Sequence, residues 1–595
     1  MRHVFLVAVC LAGLLPQAAR AERKEIVIGA AELAAQGQAA DKPTPGKWWL
    51  KRDATDWGAP GGTILMTGES GEKKSEKAGE WIVPPAHLFV PYRVPALVVD
   101  PRASGWYRIH VGLYHEALDP LVRPQLLARL SGEAYGEYLR APPSTSERTT
   151  EVYWKAADLT GRKIRLEQPP APMPHPGFGW RAGVTQIRLV PMTEAEVQES
   201  RKEIELPPSE RRLFGMLDYT DEVFWWGTLE SEDDVRAIVY RHGQAGFGRV
   251  YWRAFGSHLD NSVALPEAAA RWSDDDEKRW CKQQNCQAGW KAYIDLTRKF
   301  DPLKVAVEYG SKNGVEVHAW VRFTNFNREP YANFWHDHPE FAVQMLATTK
   351  DPKTGAPVPL QPYRKSAYRR VLSLAYPEVR AFYVKFFKEI AGTGTRGILI
   401  DLLRHPPIVG YEPIVADAFK KKYGTDLEER DIYHDPLVQE FISEYLRLFL
   451  VELRKEVGKE VEIAVRSSGP SKYALRGKQW IEDGLIDTII DGNWYSGNGP
   501  RPTIDETVAA VGKRGRAFAI AESYDVDPKN GWKKRNGDLS ADAILALTKN
   551  YSGRGAAHFG LYESTVFTWH PELRRAVREA GWAFDPSRNS KDKDR

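Results

Sequence analysis

Gly397-Ile398-Leu399-Ile400-Asp401-Leu402-Leu403 is the stretch that decides the fold of this chain. An apolar run this short, broken only by one acid, fits a strand buried on both faces better than a helix. Amphipathic helices flank it. Behind Pro377, Val379, Phe382, Tyr383, Phe386, Phe387 and Ile390 recur at helical spacing, and behind Asp435-Pro436 the residues Val438, Phe441, Ile442, Tyr445, Leu446, Phe449 and Leu453 do the same. Proline is tolerated in the first turn because the N–H it lacks has no partner inside the helix. A buried strand between two such helices is the repeating unit of a parallel α/β fold.

The unit recurs from about Arg211 onward. Strands are expected at Leu213–Leu217, Arg249–Trp252, Val315–Phe323, Gly397–Leu403, Glu462–Arg466, Thr488–Gly492, Ala517–Ala521 and Ala557–Tyr562. Ser231 with Asp234 three residues on predicts a capped helix after the first of them. Eight strand–helix pairs over residues 210–582 predict a (β/α)8 TIM barrel. An open doubly wound sheet is the alternative, but no Gly-rich phosphate fingerprint follows the first strand.

Residues 22–200 have a different texture. Short runs (Trp106 to Leu113, Gln125 to Leu130, Glu151 to Trp154, Lys163 to Leu166, Thr185 to Val190) are separated by Gly, Pro and Asp, which predicts an all-β sandwich ahead of the barrel. Asp158-Leu159-Thr160-Gly161, followed by Lys163-Ile164-Arg165-Leu166, resembles the penultimate turn and strand of carbohydrate-binding-type jelly rolls. Pro169 to Pro176 reads as a loop, Thr193 to Glu205 as a charged helical linker, and residues 583–595 as a charged tail. Two domains agree with a length of 595 residues, more than one hydrophobic core usually organises.

Residues 1–21 read as a secretory signal: Arg2 and His3 precede an apolar run from Val4 to Leu15, and Ala19-Arg20-Ala21 has the form of a cleavage site. An uncleaved anchor is the alternative. No later run is long enough to span a membrane, so a secreted or periplasmic protein is expected. Cys281 and Cys286, which remain after Cys10 leaves with the signal, point to a small loop disulfide. A net charge of +4 on such a chain gives no electrostatic reason to expect nucleic acid.

Strand carboxyl ends form the mouth of a barrel. Here five of them lead into an acid: Asp218, Asp401, Asp491, Glu522 and Glu563. Arg253, His318, Arg322 and Arg466 end other strands and offer partners, so each acid on its own also fits a salt-bridged rim residue. Trp225, Trp226, Trp252, Trp320, Trp335, Trp494, Tyr495, Tyr524 and Tyr562 fall near the same ends. Flat rings beside carboxylates suit a sugar, whose C–H face stacks while its hydroxyls take hydrogen bonds.

Gly397 to Pro406, with its Asp401-Leu402-Leu403-Arg404-His405-Pro406, resembles the strand-four signature of glycosyl-hydrolase-like family ten, an apolar strand ending in Asp-x-x-Arg-Tyr-Pro. Val317-His318-Ala319-Trp320, His338-Pro339-Glu340, Pro377-Glu378-Val379-Arg380 and Trp480 to Asp487 resemble further pieces of that family in the same order, over roughly residues 211–580. The chain departs from the pattern at His405, where the family has Tyr, and at Asp491-Gly492-Asn493-Trp494-Tyr495. The resemblance implies a barrel hydrolase acting on a polysaccharide or peptidoglycan-like glycan, with Asp401 as a central catalytic carboxylate.

Glycosidic cleavage needs one carboxylic acid to protonate the leaving oxygen and a second carboxylate to attack or to activate water. Asp401 is the expected nucleophile or base. Glu522 is the first candidate for the acid, because its apolar strand raises a carboxyl pKa; Asp491 and Glu563 follow. Asp218, Trp252, His318, Trp320, Arg404, Arg466, Trp494 and Tyr495 are the expected substrate contacts. His336-Asp337-His338 reads as an ordinary loop before Pro339, so neither metal nor other cofactor is expected. A glycan-binding protein without turnover and a surface scaffold are the readings from other classes.

Overall fold

The computed structural model describes residues 24–42, 44, 46–67, 94–114, 126–140, 148–169, 182–204, 212–219, 222–223, 229–255, 296, 299–322, 338–350, 357–362, 371–403, 408–471, 474–492, 503–521 and 540–583. Among these residues ten antiparallel strands come first: β1 (Ile26–Gly29), β2 (Trp48–Lys51), β3 (Ile64–Thr67), β4 (Leu97–Val99), β5 (Trp106–Tyr114), β6 (Leu126–Leu130), β7 (Glu137–Leu139), β8 (Thr149–Asp158), β9 (Ile164–Glu167) and β10 (Gly183–Pro191). One sheet runs β2-β3-β10-β5-β8, with β1 also on β10, and the other runs β4-β9-β6-β7. Alternation explains the layers: Ile109 and Val111 of β5 and Ile187 and Leu189 of β10 join Leu126, Leu130, Ile164 and Leu166 of the second sheet in one core. A short helix, α1 (Ala30–Gln36), packs into that core through Leu33. The linker helix α2 (Glu194–Ile204) leads onward to the barrel.

The barrel is closed and parallel, with its strands in chain order: β11 (Leu213–Leu217), β12 (Arg249–Phe255), β13 (Glu316–Val321), β16 (Gly397–Asp401), β17 (Glu462–Ser467), β18 (Thr488–Asp491), β19 (Arg516–Ala521) and β20 (His558–Tyr562). An antiparallel hairpin, β14 (Gln344–Lys350) and β15 (Pro357–Pro362), is inserted after the third barrel strand. Around the barrel lie α3 (Glu232–Ala245), α4 (Pro302–Asn313), α5 (Pro377–Ala391), α6 (Pro413–Tyr423), α7 (Pro436–Val457), α8 (Gly477–Glu482), α9 (Ile504–Val511), α10 (Ala541–Gly553), α11 (Thr565–Trp569) and α12 (Pro571–Ala583). Ser231 forms the expected capping box with Asp234, and the Asp435 side chain caps α7.

Side-chain parity sorts each barrel strand. Phe214, Met216, Tyr251, Trp320, Leu399, Ala464, Ile490, Phe518, Ile520 and Tyr562 fill the interior, while their sequence neighbours pack against the helices. Glycine is required where rings crowd that interior: a Cβ on Gly560 meets the Phe214 ring at 2.1 Å.

The floor of the barrel is ionic. Arg249 bonds Glu316 (2.8 Å) and Glu462 (3.2 Å), Arg516 bonds Glu462 (2.7 Å), and Thr488 donates to Glu462. Burial raises the Glu462 pKa, but Arg249, His318 and Arg516 outweigh it and hold the group at about 2. The N-terminal sheets dock on the barrel through the stretch around β7. Tyr138 packs with Val566 and Trp569 of α11, Gly136 accepts from Arg241 of α3, and Glu137 pairs with Arg574 of α12.

Candidate active site

Parity places two acids on the inner face at the carboxyl ends of the strands. Asp401 follows Leu399 on β16, and Asp218 follows Met216 just beyond β11. Asp401 Oδ2 accepts from Trp320 Nε1 at 3.0 Å and from Arg466 Nη1 at 3.4 Å, and Oδ1 accepts from the Leu403 N–H at 3.0 Å. Asp218 accepts from Arg253 and, at 2.8 Å, from Arg322. Arg322 also donates to the Tyr562 hydroxyl at 2.7 Å and lies 4.6 Å from the Trp320 ring centroid. Arg466 lies 5.3 Å from the centroid of Tyr562. A circuit of contacts, Asp218–Arg322–Tyr562–Arg466–Asp401–Trp320, thus joins acids from strands one and four through groups of strands three, five and eight.

All of these groups are buried, Asp401 at 1% exposure. Charges this deep are stable only when paired and hydrogen-bonded, which the alternation of guanidinium, ring and carboxylate supplies. Chemically the arrangement offers an oriented carboxylate at the end of the fourth barrel strand and donors suited to sugar hydroxyls.

Several expected residues are elsewhere. Asp491 shares the outward face of β18 with Ile489, and both its oxygens accept from the Thr503 hydroxyl at the start of α9 (2.9 and 2.8 Å). Trp252 also faces outward, stacked on Tyr219 with centroids 5.4 Å apart. His318 faces inward but near the floor, with Nε2 3.5 Å from Glu316, and burial pushes its pKa down. Glu563 is buried just past β20 with a φ of +53°, a left-handed backbone that a glutamate adopts only at a cost in strain. Glu522, Arg404, Trp494, Tyr495, His336, Asp337, Cys281 and Cys286 lie outside the described residues.

Sequence reasoning ranked Asp491, Trp252 and His318 by closeness to a strand end. Counting in twos from the inner apolar residues would have turned the first two outward and kept Tyr562 inward. Glu222, fully buried and accepting from Thr565, went unremarked, and no periodicity marks it. Among the described residues no group of His, Cys, Asp and Glu is placed to hold a metal, and no helix is long and apolar enough to cross a membrane.

No family model matches the chain and no curated protein matches its sequence, so the likeness to glycosyl-hydrolase-like family ten stands on the quoted motifs alone. Solved structures align over long stretches at low similarity. An alpha-galactosidase from Thermus thermophilus aligns at 11% identity over 90% of this chain and 94% of its own, with a TM-score of 0.34. An isomaltulose synthase from Klebsiella sp. LX3 aligns at 11% identity over 64% and 71%, with a TM-score of 0.36. The glycoside hydrolase domain of PelA from Pseudomonas aeruginosa aligns at 15% identity over 46% and 84%, with a TM-score of 0.26. At these scores the barrel rests on the chain's own strand ladder, and nothing about substrate follows from the neighbours.

Proposed function

We propose that this protein is an exported glycoside hydrolase, a divergent relative of glycosyl-hydrolase-like family ten, that cleaves a polysaccharide or peptidoglycan-like glycan. The observation that carries the reading is the setting of Asp401: an axis-facing carboxylate at the end of the fourth barrel strand, with Trp320 and Arg466 both donating to one oxygen. In this reading Asp401 is the nucleophile or base. Oδ1, engaged by one backbone N–H among the described residues, keeps a lone pair for the anomeric carbon or for water. Arg466 and Trp320 hold the carboxylate in place. Glu522 is the leading choice for the acid, since it continues the sequence parity of the inward-facing Phe518 and Ile520; Glu563 is the second. Asp218, with Arg322 and Tyr562, takes sugar hydroxyls, as do Arg404, Trp494 and Tyr495. Asp491 is assigned to fastening Thr503, Trp252 to the helix layer and His318 to the floor.

A second reading, a glycan-binding barrel without turnover, is favoured by the 1% exposure of Asp401. The two separate in one experiment: the wild-type protein is incubated with a panel of polysaccharides that includes purified peptidoglycan. New reducing ends from one of them support the hydrolase. Retained binding with no new reducing ends on any substrate supports the second reading and ends the first.

A further inference from the structure

Glu412 is fully buried and is not among the groups joined in the ion network of the mouth. Its Oε2 accepts from the Gly410 N–H at 2.7 Å and the Ser373 hydroxyl and Gln344 N–H lie near the carboxyl, while Oε1 makes no well-formed hydrogen bond among the described residues. A buried carboxylate oxygen without a donor is costly, and protonation removes most of the cost.

The position of Glu412 gives this a consequence. It ends the loop that follows Asp401 and immediately precedes α6, and this loop is stitched to the insertion that follows barrel strand three. Tyr411 N donates to Gln344 O at 2.7 Å and Leu374 N to Ile408 O at 3.0 Å, and a Cβ on Gly410 meets Gln344 O at 2.1 Å. The same loop contributes Ile408 and Val409 to the wall of a cleft of about 1350 Å³, whose lining reaches Leu402, the residue next to Asp401.

We propose that the Glu412 carboxyl is a proton-dependent catch between the segments that follow barrel strands three and four, closed when protonated and loosened when ionised. Burial, opposed by weaker contributions from Ser373 and nearby backbone N–H groups, raises its pKa from 4.5 to about 7. Among the described residues, the other titratable side chains facing it are Tyr376 of the strand-three segment and Tyr445 of α7. Burial raises the pKa of both above 10, so neither changes charge between pH 5 and 8. Arg380 is occupied by Glu452 and by the carbonyls of Leu374 and Ala375. His338 and Glu340 form their own pair beyond Phe341.

The folded-state pKa is raised, so the stabilisation is full below pH 4.5 and is lost as pH rises through about 7. If opening exposes Glu412 to water, the equilibrium constant for opening rises by up to about a hundredfold over that range.

Hydrogen exchange of the full chain, read by mass spectrometry at pH 5 and pH 8 and corrected for intrinsic rates, tests this. Peptides covering 341–345, 371–375 and 408–412 are expected to lose protection at least tenfold at pH 8, while the barrel strands do not. Glu412→Gln is expected to abolish the difference and His338→Gln, as control, to keep it. Equal protection of the wild type at both pH values overturns the proposal whatever the variants do. So does a pH dependence that survives in Glu412→Gln or disappears in His338→Gln. Catalysis is not read, so a chain without hydrolase activity leaves the test intact.

Discussion

Removing the charge of Glu137 is expected to loosen the N-terminal sheets from the barrel. The carboxylate lies between Lys155 Nζ at 2.6 Å and Arg574 Nη1 at 2.9 Å, where the two domains meet. Burial alone would raise its pKa, but Lys155 and Arg574 outweigh that and hold it at about 2, against the usual 4.5. Burial pushes the Arg574 pKa down, the opposite of what its partner implies. A guanidinium stays protonated at any working pH, so the direction at Glu137 governs. A depression of this size corresponds to about 3 kcal/mol of folding stability at neutral pH. That agrees with the cost of about 3–5 kcal/mol for removing one member of a buried ion pair.

Glu137→Gln is therefore expected to lower the free energy of urea unfolding by about 3 kcal/mol at pH 7, with circular dichroism as the probe. The sign with pH follows from the depressed value: the contribution is complete above pH 4.5 and declines as pH falls toward 2. The gap between wild type and variant should narrow by about 1.4 kcal/mol between pH 7 and 3.5. A change below about 0.5 kcal/mol at pH 7, or a gap that does not move with pH, would refute the reasoning.

Two other substitutions probe the barrel. Gly560→Ala drives a methyl group into the Phe214 ring and should cost about 1–3 kcal/mol, seen as a lowered melting temperature; an unchanged melt would contradict the packing described. Arg249→Met removes the guanidinium shared by Glu316 and Glu462, leaves Glu462 to Arg516 and Thr488, and should cost about 2 kcal/mol while leaving the specific activity of the folded fraction unaltered. A loss of activity per folded molecule would show that floor and mouth are coupled.

The barrel was legible because its strands are buried on both faces. Runs such as Gly397–Asp401 or Arg516–Ala521 are apolar apart from one charged residue at an end, and the helices between them carry unbroken stripes behind Pro377 and Asp435. Short strands were harder. β1 and β4 are four and three residues long and owe their existence to pairing with distant partners, a non-local term that no window of sequence contains. The β14–β15 hairpin was hidden by Pro357, Pro359 and Pro362, since proline argues against a strand except at an edge.

At the site, residue type was easier to read than direction. Arg466 is one of several bases that the sequence offers to the strand-end acids and is the one in contact with Asp401, whereas Asp491, one residue out of phase with Ile490, faces α9 instead. The floor network joins residues as distant as Arg249 and Glu462, and nothing local in either segment marks that pairing.

Turnover and binding of one glycan by the wild type and by Asp401→Asn, measured side by side, test the central claim most directly. Asparagine keeps the shape of the side chain and its place beside Trp320 and Arg466 but cannot act as nucleophile or base. Loss of about a thousandfold or more in kcat with affinity retained is the predicted result. Equal turnover by both proteins would contradict it.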